Sequence, residues 1–331
     1  MVVGVEQVEQ LGTLGELIAA LLLVTIVAPI QAREPQVTRH QQIVAHWTPA
    51  RMAAATPRDF VFDSNRSFVP RAKPGGGGTT TGASWNGGGA IKERSGKVYF
   101  EMGGGAYVCS GAVATDSRTT TSLVLTAGHC AYDETGQAFA TNWLFIPDFD
   151  QTPTFTCSQT QYGCWTADAL VVHEGYATAG GFNTQATLHD FAFAVVGGGG
   201  HSGAAQLDVT VGAFNVSIPG FTAAGQTSYA FGYPAAGRYR GNDLVYCNGA
   251  IFEDPYNEEL TWGLPCGMTG GSSGGPWLSG FNTSTGVGAL SSLNSYGYSG
   301  IKAMHGPKFN SDTLDVYTAA KSATANTIVG P

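Results

Sequence analysis

Three short segments in a fixed order restrict this chain more than any other feature. Thr126-Ala127-Gly128-His129-Cys130 comes first, His189-Asp190-Phe191-Ala192 second, and Gly270-Gly271-Ser272-Ser273-Gly274-Gly275-Pro276 third. A serine hydroxyl alone is a poor nucleophile. It needs a base within hydrogen-bond reach, and the base needs an orienting group. Glycines around Ser273 permit a tight turn with positive φ and the close approach of another backbone. Such a turn can aim the N–H groups of Gly271 and Ser273 at one point, an oxyanion hole worth roughly 3–4 kcal/mol per donor.

The order His, Asp, Ser decides between folds. The heptapeptide also matches G-x-S-x-G, the nucleophile turn of α/β-hydrolases, which requires an acid and then a histidine after the serine. Only 58 residues follow Ser273, and no Asp or Glu lies between it and His305. No alternating strand–helix pattern accompanies the motif. Instead, strand-like runs are short and bounded by Gly or polar residues: Lys97–Met102, Tyr107–Val113, Ser122–Thr126 and Phe191–Val196. Gly103-Gly104-Gly105 turns the chain after the first. The pattern predicts an all-β sandwich or barrel. Beyond the first third of the chain, a helix is expected only within 314–328, with Ala319-Ala320-Lys321 as its best part.

Charge and punctuation divide the chain. Leu17–Val27 is an apolar core of signal-peptide length, too short for a comfortable membrane span, although Glu6, Glu9 and Glu16 replace the usual basic residues before it. Residues 33–73 carry a net charge of +4, and everything from 74 onward a net of −9. The Pro-Gly-Gly-Gly-Gly-Thr-Thr-Thr stretch at 74–81 has the composition of a flexible connector. We therefore expect a signal peptide at 1–32, a pro-segment and linker at 33–89, and an enzyme domain at 90–331. Opposite charge would help the pro-segment dock on that domain. The overall charge of −8 argues against nucleic-acid binding.

Six cysteines, an even number, suit an oxidising compartment and hence secretion. No C-x-x-C spacing occurs, so neither zinc nor another cofactor is expected. Cys109 and Cys130 would close a loop of about twenty residues and steady His129, worth roughly 3 kcal/mol. Cys157 with Cys164, and Cys247 with Cys266, are proximity-based pairings; sequence alone does not fix connectivity.

Cys109-Ser110-Gly111, Leu125–Cys130, Asp190-Phe191-Ala192 and Gly271–Pro276 together resemble the chymotrypsin-like (trypsin-fold) serine peptidases. Val171–Tyr176 resembles the segment before the aspartate in that family. The resemblance covers about 90–331. It implies two antiparallel six-stranded β-barrels with the active site between them, to which the sequence adds a short C-terminal helix. It also implies His129 as general base and acid, Asp190 as its orienter ahead of Asp168 and Glu174, and Ser273 as nucleophile. His189 is expected in a loop or at the surface, and His305 and Lys302 at the surface in preference to the pocket. Gly267, Met268, Asn294, Ser295 and Gly297 are implied to line the substrate pocket.

Two departures from the family matter. Digestive members have Asp at the position of Ser272, so their activating ion pair is impossible here. Trypsins have Asp at the position of Gly267, so specificity for Lys or Arg is unsupported. Thr269–Pro276 is more similar to the T-G-G-x-S-G-x-P pattern of secreted microbial peptidases related to glutamyl endopeptidases, whose pro-segments are removed. The expectation is a monomeric, secreted serine endopeptidase acting on proteins or peptides and held by its own pro-segment. The competing expectation is a catalytically silent trypsin-fold module that binds proteins.

Overall fold

A computed structural model of the chain describes residues 37–62, 68–70, 82–150 and 155–330. The expected signal peptide and the 74–81 connector lie outside these residues. Among the described residues no helix is long and apolar enough to cross a membrane.

Six antiparallel strands close on themselves. We label the elements used below in chain order: α1 Arg39–His46, β1 Thr56–Pro57, β2 Phe60–Phe62, β3 Ser95–Met102, β4 Gly105–Ala114, β5 Ser122–Thr126, β6 Thr141–Pro147, β7 Trp165–His173 and β8 Ala192–Val196. Their order is β4-β3-β6-β7-β8-β5, and β5 pairs back onto β4 through Ala112↔Leu125 to Ala114↔Leu123. The β3–β4 hairpin turns at Gly103 and Gly104, with φ of +55° and +82°. Positive φ at both central residues matches the right-handed twist of the flanking strands. Leu123, Val124 and Leu125 are all fully buried, so β5 is packed on both faces. Each such side chain contributes about 1.5–3 kcal/mol by leaving water.

The C-terminal half corrects the expectation of a second six-stranded barrel. Its strands are β9 Thr227–Gly232, β10 Val245–Ala250, β11 Thr261–Pro265, β12 Pro276–Asn282, β13 Val287–Leu293, β14 Tyr296–Tyr298 and β15 Ala303–Pro307. They form two open sheets, one built on β13-β12-β9-β10 and the other on β11-β15-β14-β2. Closure fails because other segments take the outer edges. Ala83-Ser84 pairs with β10, Asn215-Val216 with β13, and β2 with β14. Side chains link the sheets instead. The Cys247–Cys266 disulfide joins them at one place, and the Ser292 hydroxyl donates to the Pro307 carbonyl at 2.8 Å in another. Helix α2 (Ser311–Ala320) follows, its first turn capped by Asn310 Oδ1, which accepts from the Asp312 and Thr313 N–H groups.

Among the described residues of the basic region, 46–57 contact the barrel. The Trp47 indole donates to the Asn142 carbonyl at 2.5 Å, and His46 meets Glu101 at 2.7 Å. Strand β1 adds parallel to β4.

One buried charge gives a stability test. Lys97, on β3, is 6 % exposed and donates to the Gly241 carbonyl at 3.0 Å beside the Phe149 and Tyr99 rings. Burial pulls its pKa down to about 7. Below pH 7 the folded and unfolded chains both hold the proton; between pH 7 and about 10.5 only the unfolded chain does. Stability must therefore rise with pH across that window, by about 2–3 kcal/mol from pH 7 to 9. Denaturant titrations of the wild type and Lys97→Met should show this rise in the wild type alone. Parallel pH profiles would contradict it.

Candidate active site

The site lies where β5 ends, where β8 begins, and where the glycine turn precedes β12. After Thr126 the chain enters a single 3-10 turn, Gly128–Cys130, and the Cys109–Cys130 disulfide ties that turn to β4. Gly128 lets the acid approach: a Cβ there would lie 3.1 Å from Asp190 Oδ1. Asp190 is fully buried and accepts from three donors. The His129 backbone N–H reaches Oδ1 at 2.8 Å, His129 Nδ1 reaches Oδ2 at 2.8 Å, and the Ser295 hydroxyl donates to the same Oδ2. This fixes the proton on Nδ1 and leaves Nε2 as the acceptor. Asp168 and Glu174 are exposed.

Ser273 sits in the glycine turn, 2 % exposed. Its carbonyl accepts from the Ser110 N–H at 2.7 Å and lies 3.9 Å from Cys130 Sγ, which brings the turn beside His129. Gly271 has φ of +96° and Gly274 +80°. The Ser273–His129 link is not made, and the buried His129 Nε2 has no hydrogen-bond partner. Phenyl rings stand edge-on to the imidazole, Phe60 at 5.3 Å and Phe182 at 5.8 Å between centroids.

Gly274 admits no side chain. A Cβ would lie 2.3 Å from Thr126 Oγ1 and 2.4 Å from the Ser110 carbonyl, in a left-handed conformation. Gly274→Ala should therefore destabilise the fold by about 1–3 kcal/mol, read as a lowered thermal midpoint. An unchanged midpoint would contradict the packing described.

The other sequence-derived positions divide. The Ser295 hydroxyl contacts Asp190. Asn294 is fully buried and braces the turn: its Nδ2 donates to the Phe231 and Ser272 carbonyls, and its Oδ1 accepts from the Trp277 indole. The Ser272 hydroxyl donates to the Thr269 carbonyl at 2.9 Å. Met268 is buried in the core of the C-terminal half, Gly267 is half-buried, and Gly297 lies opposite Val61 of β2. The remaining disulfide joins Cys157 to Cys164.

His305 departs from the expected surface position. It is fully buried, stacked on Tyr296 at 5.2 Å and 3.8 Å from Asp254 Oδ1, and burial pulls its pKa down to about 4. Asp254 accepts from the Tyr296 and Tyr298 hydroxyls at 2.7 and 2.8 Å. Sequence reasoning missed Asp254 because the two tyrosines that donate to its carboxylate lie more than forty residues away.

Two groups of potential metal ligands occur among the described residues. Cys109, His129 and Cys130 form one, but its sulfurs are spent in the disulfide. His173, His189 and Asp312 form the other. There the two imidazoles lie stacked 4.4 Å apart and 8° from parallel, so their in-plane lone pairs do not converge on one ion. His189, expected in a loop or at the surface, lies between a helix that ends at Leu188 and β8, is 9 % exposed and meets Asp312 at 3.0 Å.

No family model and no curated protein matches the chain. Among solved structures, the protease Anisep from Arthrobacter nicotinovorans is 38% identical with a TM-score of 0.59, and the match covers 70% of this chain and 96% of that one. The thermostable serine protease AL20 from an extremophilic microorganism is 36% identical with a TM-score of 0.60, covering 71% of this chain and 99% of that one. A Glu endopeptidase is similar in fold, at 18% identity and a TM-score of 0.54, covering 74% of this chain and 99% of that one.

Proposed function

The chain belongs to the trypsin-fold serine protease family, and from that membership we propose that it is a secreted serine endopeptidase made as a pro-protein. The observation that carries this reading is the buried Asp190 carboxylate holding His129 by two hydrogen bonds beside the turn of Ser273. In the proposed chemistry Ser273 Oγ attacks the peptide carbonyl as His129 Nε2 takes its proton. Nε2 then returns the proton to the leaving amine, and a water activated by the same imidazole hydrolyses the acyl-enzyme. The N–H groups of Gly271 and Ser273 would receive the oxyanion.

The proposed boundaries are a signal peptide at 1–32, a pro-segment at 33–89 and the protease domain at 90–331. Three disulfides among the described residues support an oxidising, extracellular setting. The Thr269–Pro276 pattern supports the glutamyl-endopeptidase-related branch. The 18% identity to a Glu endopeptidase adds fold likeness alone.

A second reading has a specific observation behind it. His129 Nε2 lacks a partner, as expected of a catalytically silent trypsin-fold module that binds proteins. For the chain in the form described, that reading has the better support. The two meet if the enzyme is latent, since catalytic hydrogen bonds often tighten only when substrate binds. Casein hydrolysis by full chain nicked in the 63–81 region by trace protease tests this. The endopeptidase reading expects activity to appear with nicking. An inert nicked chain that still folds would leave the silent module.

A further inference from the structure

We propose that residues 56–62 are a built-in peptide inhibitor, anchored by the Phe60 side chain in an aromatic slot beside His129. The proposal rests on the endopeptidase reading above, and it names the occupant of that same site.

Consecutive residues of this segment cover the three things catalysis needs. The first is the turn of the nucleophile. Pro57 and Asp59 lie against Gly270, where an added Cβ would come within 2.9 Å of Pro57 Cβ and 2.8 Å of Asp59 Oδ2. The second is the base. The Arg58 guanidinium donates to the His129 carbonyl at 2.6 Å and reaches Glu134 Oε2 at 3.4 Å. Glu134 is itself buried and accepts from the Tyr176 hydroxyl at 2.8 Å. The Phe60 ring, 8 % exposed, stacks on Phe182 with centroids 4.0 Å apart and planes 1° from parallel, and stands edge-on to the imidazole.

The third is the substrate strand. One edge of β14 pairs with β15, which leaves a single edge for a peptide to add. Strand β2 takes it, pairing in parallel through Phe60↔Tyr296, Val61↔Gly297 and Phe62↔Tyr298. The Ser299 N–H closes the ladder onto the Phe62 carbonyl at 2.9 Å. The ligand class this cleft fits is thus an extended peptide with a cationic residue followed, two positions on, by an aromatic one. Stacking of the kind Phe60 makes on Phe182 gives such an anchor its strength.

The experiment uses the full chain and two readouts. One is the rate at which a fluorophosphonate probe labels Ser273; the other is hydrogen exchange of the Ser299 amide. Phe60→Ala should label at least tenfold faster than wild type, and its Ser299 amide should exchange at least tenfold faster. Amides of β3 and β4 should stay protected, which reports an intact fold. If Phe60→Ala unfolds, Phe60→Leu keeps the burial without the stack and should shift both rates about threefold. Equal labelling rates would overturn the inhibitor, and so would an unchanged Ser299 amide. Accelerated Ser299 exchange with no labelling of any chain would instead overturn the endopeptidase reading, leaving the slot as a peptide-binding site.

Discussion

Ser273→Ala is expected to lower turnover of peptide or ester substrates by on the order of 10⁶-fold while leaving the thermal midpoint unchanged. The two halves of this result have separate causes. The hydroxyl is the atom that would form the acyl bond, and alanine has nothing to replace it. The turn is held by backbone groups that the substitution spares: Ser110 N–H to the Ser273 carbonyl, Gly274 N–H to the Asn294 carbonyl, and Gly275 N–H to the Ser272 carbonyl, at 2.7, 2.7 and 2.9 Å. A residue acting only in the fold would show the opposite pattern. Turnover numbers of the nicked variant and its melting curve settle the matter; activity within tenfold of wild type would remove Ser273 from the chemistry.

Asp190→Asn carries the second-largest expected effect, about a 10⁴-fold loss in turnover. Three donors converge on this carboxylate: His129 N–H, His129 Nδ1 and the Ser295 hydroxyl. An asparagine has one acceptor oxygen and must turn an NH₂ towards one of them. If the NH₂ faces the imidazole, Nδ1 becomes the acceptor and Nε2 carries the proton, so it can no longer take one from Ser273. Leaving a buried donor unpaired also costs about 1–3 kcal/mol in stability. Steady-state kinetics and a denaturant titration of the nicked variant read both effects. A loss of less than tenfold would mean that Asp190 does not orient the base.

These expectations were legible in the sequence because the residues that carry them are bound to local rules. Gly271 and Gly274 stand where φ is positive. Cys130 follows His129 directly, and Asp190 precedes an apolar run that buries it. Four strands of the first barrel, β3, β4, β5 and β8, were legible as short apolar runs bounded by Gly or polar residues, whereas the closed barrel itself was implied only by the family resemblance. What the sequence hid depends on distant contacts. Nothing local marks Phe60 as the neighbour of Tyr296, or Ser295 as a donor to Asp190. The family pattern implied a second closed barrel, but strand edges there are taken by residues 60–62, 83–84 and 215–216. His305 looked like a surface histidine because its partner Asp254 lies in another segment. Two residues of the basic stretch do meet acidic partners, Arg58 with Asp133 and Glu134 and His46 with Glu101.

Intact-mass analysis of the full chain after prolonged fluorophosphonate treatment, with peptide mapping of the adduct, tests the central claim most directly. The account predicts one adduct per chain, on Ser273, absent from Ser273→Ala. No adduct, or an adduct on another residue such as Ser272, would contradict it.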